Sequence, residues 1–299
     1  MPDASGGAED CVPQAVRAGD PIRPRVGLDM TSDTARAMRR GAGAAAGGYL
    51  LGSISFARLV VRWRTGGPVA PIDLSTPDGR GHLRSRAVSA SAVRLQLGPR
   101  YGLLVGALDI LKAFVPTVAL RLAAPEQRYF LICAASAPFG HNWPVWHRFR
   151  GGNGQAVILG GMLAIDPVGA VVTNGAATLL GLTVLRDGLI GDIGGIPLLI
   201  PWLWWRTHGD PGHLGYAVAV NAAWWVSFWP SLVQYARLKR HGHLPTAEHA
   251  VAMFRMDFGF MRRMSRRRYA EVDAARADAG RADAAHRSAA RTGDPGWAR

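Results

Sequence analysis

Long apolar runs alternate with short arginine-rich connections through the middle of this 299-residue chain. Residues 214–236 hold no formal charge, and neither do residues 167–185. A helix needs about 20 such residues to cross the hydrocarbon core of a bilayer. The pattern predicts spans near 41–61, 102–120, 128–146, 168–185, 188–205 and 214–235. Residues 155–165 are apolar but too short to cross alone, and Asp166-Pro167 breaks the chain after them. The expected fold class is therefore all-α, a polytopic membrane helix bundle of about seven segments, one of them short or re-entrant. Gly43 and Gly47 stand four apart in the first span, a spacing that suits close helix contact.

The ends differ from this middle. Residues 1–40 carry six arginines against six acidic residues, a composition that predicts a disordered N-terminal region. No secretory signal is expected there, because residues 1–35 lack an apolar core. A membrane domain is expected over 41–236 and a basic tail over 237–299, where fourteen basic residues face seven acidic ones. The net charge is +14, carried almost wholly by arginine; only Lys112 and Lys239 are lysines. Lysine and arginine near the ends of spans favour the cytoplasm. The 62–101 connection, the Arg148/Arg150 loop and the stretch after Arg237 are the basic ones. An odd number of spans puts all three on one side, with the N-terminus outside. This predicts a multi-pass plasma-membrane protein with its active face toward the cytoplasm. The spans explain the basic flanks, so no nucleic-acid partner is expected. Trp202, Trp204, Trp205, Trp224, Trp225 and Trp229 suit an interfacial belt or helix packing. Cys11 and Cys133 form neither a disulfide framework nor a zinc pattern.

Candidate chemistry concentrates at Gly140–Gly154. Here His141, Arg148 and Arg150 lead into Gly151-Gly152-Asn153-Gly154, between two apolar segments. Glycines let main-chain N–H groups close around an anion, and arginines neutralise it. Irregular polar backbone at membrane depth is tolerated only where protein buries it or water reaches it. Asp109 and Lys112 are three residues apart and share a helix face. They read equally as a structural ion pair or as the wall of an anion cavity. Ser85, Ser89 and Ser91 lie among Arg84, Arg86 and Arg94. Alone that is a solvated basic loop; on the same face as the glycine loop it becomes a second anion-binding segment.

These pieces resemble the bacterial acyl-phosphate:glycerol-3-phosphate acyltransferase family of the PlsY type. Gly52-Ser53-Ile54-Ser55 is similar to the family's GSIP end of the first span. Ser85 through Ala92 occupies the place of its GSGNxGxTN loop, and Leu97-Gly98 follows in register. Asp109-Ile110-Leu111-Lys112 resembles its LDxLKG ending. The string from Gly140-His141 through Pro144-Val145, Phe149 and Gly151-Gly152-x-Gly154 carries the most specific likeness. The chain departs from the family at several places. The loop from Ser53 to Ser85 is longer than usual, and the family's arginine falls at Leu95, with Arg94 one residue away. Arg86 and Ala87 replace the glycine and asparagine of the GSGN loop. Asn153 replaces the GGKG lysine. The late RHxxN motif survives only as Arg240-His241, with Leu244 in place of asparagine.

The resemblance implies transfer of a fatty acyl group from acyl phosphate to glycerol 3-phosphate, giving lysophosphatidic acid for phospholipid synthesis without metal or cofactor. It implies catalytic roles for His141, Lys112, Arg148 and Arg150. It implies substrate binding by Ser85, Arg86, Arg94, Gly151, Gly152, Asn153 and Gly154. The partners would be the two phosphorylated substrates and the lipid bilayer. A non-catalytic membrane protein binding anionic lipid or a partner is the alternative, and an Asp109/Lys112 ion relay in a transporter is a third reading.

Overall fold

The computed structural model describes residues 30–75, 82–184 and 193–240. The chain divides into a leading unit ending at Arg39 and a main unit that begins at Arg40. Helix α1 runs Met30–Gly52. Its first turns, in the leading unit, carry an Asp33–Arg36 ion pair of 2.8 Å at i,i+3 spacing. Helix α2 follows at Phe56–Thr65 and ends on Gly66, which is left-handed at φ 69°. Strands β1 (Ile72–Ser75) and β2 (His82–Ser85) pair antiparallel, with Asp73 opposite Arg84. Next come α3 (Ala90–Leu97) and the long α4 (Pro99–Ala123). Helices α5 (Tyr129–Asn142), α6 (Gln155–Ile165) and α7 (Pro167–Thr183) form the middle. Helices α8 (Leu199–Arg206) and α9 (Pro211–Arg240) close the described chain.

Local chemistry sets several of these boundaries. Ser89 caps α3 by accepting from the Ala92 amide at 3.3 Å. Asp166 caps α7 by accepting from the Gly169 amide at 3.0 Å, and Pro167 occupies its first position, where no N–H is needed. The carbonyls of Ala164 and Ile165, which end α6, are met by the Arg121 guanidinium from α4, at 2.5 and 3.0 Å. Carbonyls that would be costly to leave unpaired at that depth are thereby satisfied.

The main core lies where α5, α6, α8 and α9 meet, around Phe130, Met162, Leu203, Tyr216 and Trp224. Helices α1 and α5 cross in backbone contact. A methyl group on Gly48 or Gly52 would strike the carbonyls of Cys133 or Ala137, and one on Gly140 would strike that of Tyr49. Outward-facing positions are apolar: Leu103 is 73% exposed, Leu122 78% and Val171 69%. Such a surface suits hydrocarbon rather than water.

Several expectations need amending. The close α1 contact uses Gly48 and Gly52, not Gly43 and Gly47, which have no atom within 4 Å of an added methyl. One residue is about 100° around a helix, so the neighbouring pair presents another face. The helix begins at Met30, inside the region expected to lack structure, and Ala35, Ala37 and Met38 are strong helix formers. The first span is not continuous but breaks at Ser53–Ser55 before α2. The bundle is not purely helical, since the 62–101 connection holds a hairpin secured by the Arg84 Nε–Asp73 contact of 2.8 Å. Among the described residues, two helical stretches, Asp33–Thr65 and Pro99–Ala123, are long and apolar enough to cross a membrane, and Gln155–Ile165 is a shorter apolar helix. In place of the span at 188–205, the described part is α8 with a short turn before it; residues 185–192 fall outside the described residues. Residues 1–29 and 241–299, with His241 and Leu244, also lie outside them.

The three basic connections gather at one end. The Arg84 amide of the hairpin donates to Gln234 Oε1 near the end of α9, at 3.0 Å. The Val88 amide donates to the Gly151 carbonyl of the glycine loop, at 3.0 Å. At the other end, Arg128 pairs with Asp210, and Trp202 Nε1 donates to Asp166 at 2.8 Å.

Candidate active site

Lys112 sits near the middle of α4, roughly 20 Å from its first residue at about 1.5 Å per residue. Asp109, one turn earlier, reaches its ammonium at 2.8 Å, and both side chains are only 3% exposed. The break after α1 turns the Ile54 carbonyl inward, and Lys112 Nζ donates to it at 2.9 Å. His141, in the last turn of α5, places Nδ1 2.8 Å from the same nitrogen. Asp109 Oδ1 is 3.7 Å from that Nδ1. Three segments distant in sequence thus meet on one ammonium.

The glycine loop wraps the other side of His141. The Gly152 amide donates to the His141 carbonyl at 3.1 Å. A methyl on Gly152 would strike His141 Nε2 and lie 2.6 Å from the Val88 carbonyl. Only glycine admits ring, loop and the Val88 main chain at once. Arg148, Phe149 and Gly154 hold left-handed φ values of 53°, 58° and 72°. That succession bends the loop into α6, whose N-terminus presents main-chain amides and partial positive charge.

Asn142, 4% exposed, braces the arrangement from below. Its Nδ2 donates to the Ala223 carbonyl at 3.0 Å and to Ser227 Oγ at 3.1 Å. The carbonyl partner fixes the amide's orientation, so Oδ1 faces Gly154, where an added methyl would come within 2.6 Å. Among the described residues that oxygen has no hydrogen-bond partner.

The structure does not treat the expected site residues alike. His141, Lys112, Gly151, Gly152 and Gly154 come together, with Asn153 half-buried in the same loop. Ser85 lies in β2, three residues before Val88, and its hydroxyl accepts from the Ala87 amide at 3.3 Å. Arg94 packs its stem against Gly102 at the α3–α4 junction. Arg86, Arg148 and Arg150 are exposed.

Sequence reasoning passed over Arg58, on α2. Its Nη2 donates to the Arg150 carbonyl at 2.6 Å and its Nη1 to Ser55 Oγ at 3.3 Å. These bonds hold a guanidinium at the entrance to the glycine loop. The His147 imidazole is kept below its ordinary pKa by partial burial first and by the Arg58 charge second. Arg58 carried no signal beyond being one arginine among many. Asn142 was equally silent, and so was Tyr49, whose hydroxyl donates to the Trp143 carbonyl at 2.7 Å.

Glycine amides, a helix N-terminus, an oriented imidazole and an anchored guanidinium form a surface complementary to phosphate oxygens. Among the described residues, no group of three or more His, Cys, Asp or Glu is placed to hold a metal ion.

The sequence profile described as glycerol-3-phosphate acyltransferase matches residues 42–239. Glycerol-3-phosphate acyltransferase 5 of Dehalococcoides mccartyi (strain ATCC BAA-2266 / KCTC 15142 / 195) is 36% identical over 156 residues, covering 51% of this chain and 61% of the relative. The glycerol-3-phosphate acyltransferase of Pseudomonas syringae pv. tomato is 32% identical over 161 residues, covering 53% and 76%. The crystal structure of PlsY (YgiH), an integral membrane glycerol 3-phosphate acyltransferase, in its lysophosphatidic acid form superposes with a TM-score of 0.54 at 23% identity. That superposition covers 69% of this chain and 94% of that one. The glycerol 3-phosphate form gives 0.53 at 22% identity, covering 72% and 99%. The match to the family profile, over most of the main unit, establishes that this chain belongs to the glycerol-3-phosphate acyltransferase family.

Proposed function

We propose that this protein is a membrane acyltransferase that moves a fatty acyl group from acyl phosphate to the primary hydroxyl of glycerol 3-phosphate. The hydroxyl oxygen bonds to the acyl carbon, and the bond from that carbon to the phosphate oxygen breaks. Lysophosphatidic acid and inorganic phosphate are the products. The observation that carries this reading is the docking of Val88 on Gly151 and of His141 on Gly152, which joins the Ser85–Ser89 segment to the glycine loop and the start of α6. His141 Nε2 and the amides at the start of α6 would bear one phosphate, while Arg58, Arg148, Arg150 and Arg86 surround the entrance. Arg58 stands in for the ammonium charge that Asn153 lacks. An acyl phosphate is already activated, so positioning and charge stabilisation supply the rate.

An apolar groove of about 500 Å³ runs along Gly43, Gly47, Leu51, Pro116, Leu120 and Cys133. It begins two residues from the Ser53 turn and suits the acyl tail. The basic end of the bundle, with the hairpin, the glycine loop and the end of α9, would face the cytoplasm of a multi-pass protein of about seven segments. Rescue of a bacterial strain lacking its own glycerol 3-phosphate acyltransferase tests the activity. A membrane-inserted chain that fails to restore growth would favour the non-catalytic lipid-binding alternative.

A further inference from the structure

We propose that Lys112 acts on His141 rather than on the substrate: it holds the imidazole as the neutral Nε2–H tautomer, a fixed hydrogen-bond donor aimed at the glycine loop. The inference rests on reading that loop as the phosphate cradle. An ammonium has three N–H donors and no acceptor. Lys112 Nζ donates to the Ile54 carbonyl at 2.9 Å and lies 2.8 Å from His141 Nδ1, while Asp109 Oδ1 balances its charge as an ion pair at 2.8 Å. Its side chain is 3% exposed. Enclosed by these three groups, Lys112 is a positioning residue.

The contact with His141 has a consequence at the ring. To accept from Lys112, Nδ1 must carry a lone pair, which puts the single proton on Nε2. Nε2 is the atom that a methyl on Gly152 would strike, so the proton faces the loop.

The same geometry keeps the ring neutral. A second proton would set N–H against N–H and place two cations 2.8 Å apart. Asp109 would favour such a proton, but its oxygen is 3.7 Å from Nδ1 and already engaged by the nearer Lys112. The Ser53–Ile54 turn contributes a carbonyl, and Gly151–Gly154 contribute no titratable side chain. His141 is therefore not the base that takes the acceptor's hydroxyl proton. That proton leaves with the departing phosphate, which also takes the electron pair of the broken bond. A neutral imidazole serving as a donor has precedent as a catalytic device.

The test is a ¹⁵N-histidine spectrum of the full chain in lipid nanodiscs without substrate, with His141 assigned by its loss in His141→Asn. The expected spectrum shows His141 with a bare Nδ1 and a protonated Nε2, unchanged from about pH 5 to about pH 8. A proton on Nδ1, or titration of His141 within that range, would overturn the proposal. In the paired variant Asp109→Leu/Lys112→Met, which leaves no lone buried charge, the fixed tautomer should be lost. Its persistence there would equally contradict a role for Lys112. In the transfer assay, adding His141→Ala to the paired variant should cost no further activity if Lys112 works through the ring; additive losses count against it. The spectrum needs no substrate, so absence of acyl transfer would sink the enzyme reading and leave the tautomer separately decided.

Discussion

Two clusters in the bundle each join an aspartate, a basic side chain and a histidine, and use them in different ways. Asp109, Lys112 and His141 form one cluster; Asp210, Arg128 and His213 form the other. In the first, the ion-pair side chains are 3% exposed and the histidine 10%. In the second, Asp210 is 18% exposed, His213 21% and Arg128 51%. Asp210 Oδ2 accepts from the His213 amide at 3.0 Å and lies 2.7 Å from its Nδ1, so the outer cluster caps α9 and is partly wet. The inner cluster caps nothing. It spends its hydrogen bonds on orienting one ring toward a glycine loop. The first cluster is buried inside the bundle, and the second lies at a partly exposed helix end.

Breaking the inner pair should have the largest effect. Lys112→Met leaves Asp109 buried and uncompensated, at a cost of about 3 to 5 kcal/mol. Thermal unfolding in detergent should show it, and restoration by the further change Asp109→Leu would identify the unpaired charge as the cause. Gly152→Ala comes next. Its methyl would displace His141 Nε2 or the Val88 main chain, so transfer should fall roughly a hundredfold, the scale of one lost transition-state donor, and the unfolding temperature should fall as well. Arg58→Ala should raise KM for the phosphorylated substrates roughly tenfold, about 1.4 kcal/mol, with Arg58→Lys recovering only part, because an ammonium cannot make both of its bonds.

The smallest effect belongs to the outer cluster. Asp210→Ala should cost about 1 kcal/mol, the value of a lost cap, and leave kcat unchanged. Hydrogen bonds from His213, then Arg128, hold the Asp210 carboxyl well below the usual carboxylate range. Its folded pKa is depressed, so its stabilisation is present above the ordinary carboxylate value near pH 4. It is lost as the pH falls through that value toward the lower folded one. Unfolding of wild type and Asp210→Ala should therefore converge in acid and differ at neutral pH.

Sequence periodicity located the long helices because uncharged runs leave few alternatives. Helix α6 was legible to the residue, since Gly154 and Asp166-Pro167 bracket it. The hairpin and α3 were hidden in a charged connection, where no apolar alternation marks a strand. Hydropathy alone carried the first span across Ser53–Ser55, although Gly52-Ser53-Ile54-Ser55 resembles the family's end of that span. Within the site, the GHxxPV and GGxG residues announced themselves. The meeting of His141 with Lys112, 29 positions apart, did not. It needs α4 and α5 to lie side by side, which no spacing in either segment announces. Arg58 and Asn142 have no spacing that distinguishes them from solvated or structural neighbours.

Purified full-length protein in lipid vesicles, given palmitoyl phosphate and labelled glycerol 3-phosphate, tests the central claim most directly. Labelled lysophosphatidic acid should form in step with phosphate release, and Gly152→Ala should nearly abolish both. A folded wild-type protein that forms no product, or a Gly152→Ala variant as active as wild type, would show that the loop beside His141 is not where acyl transfer occurs.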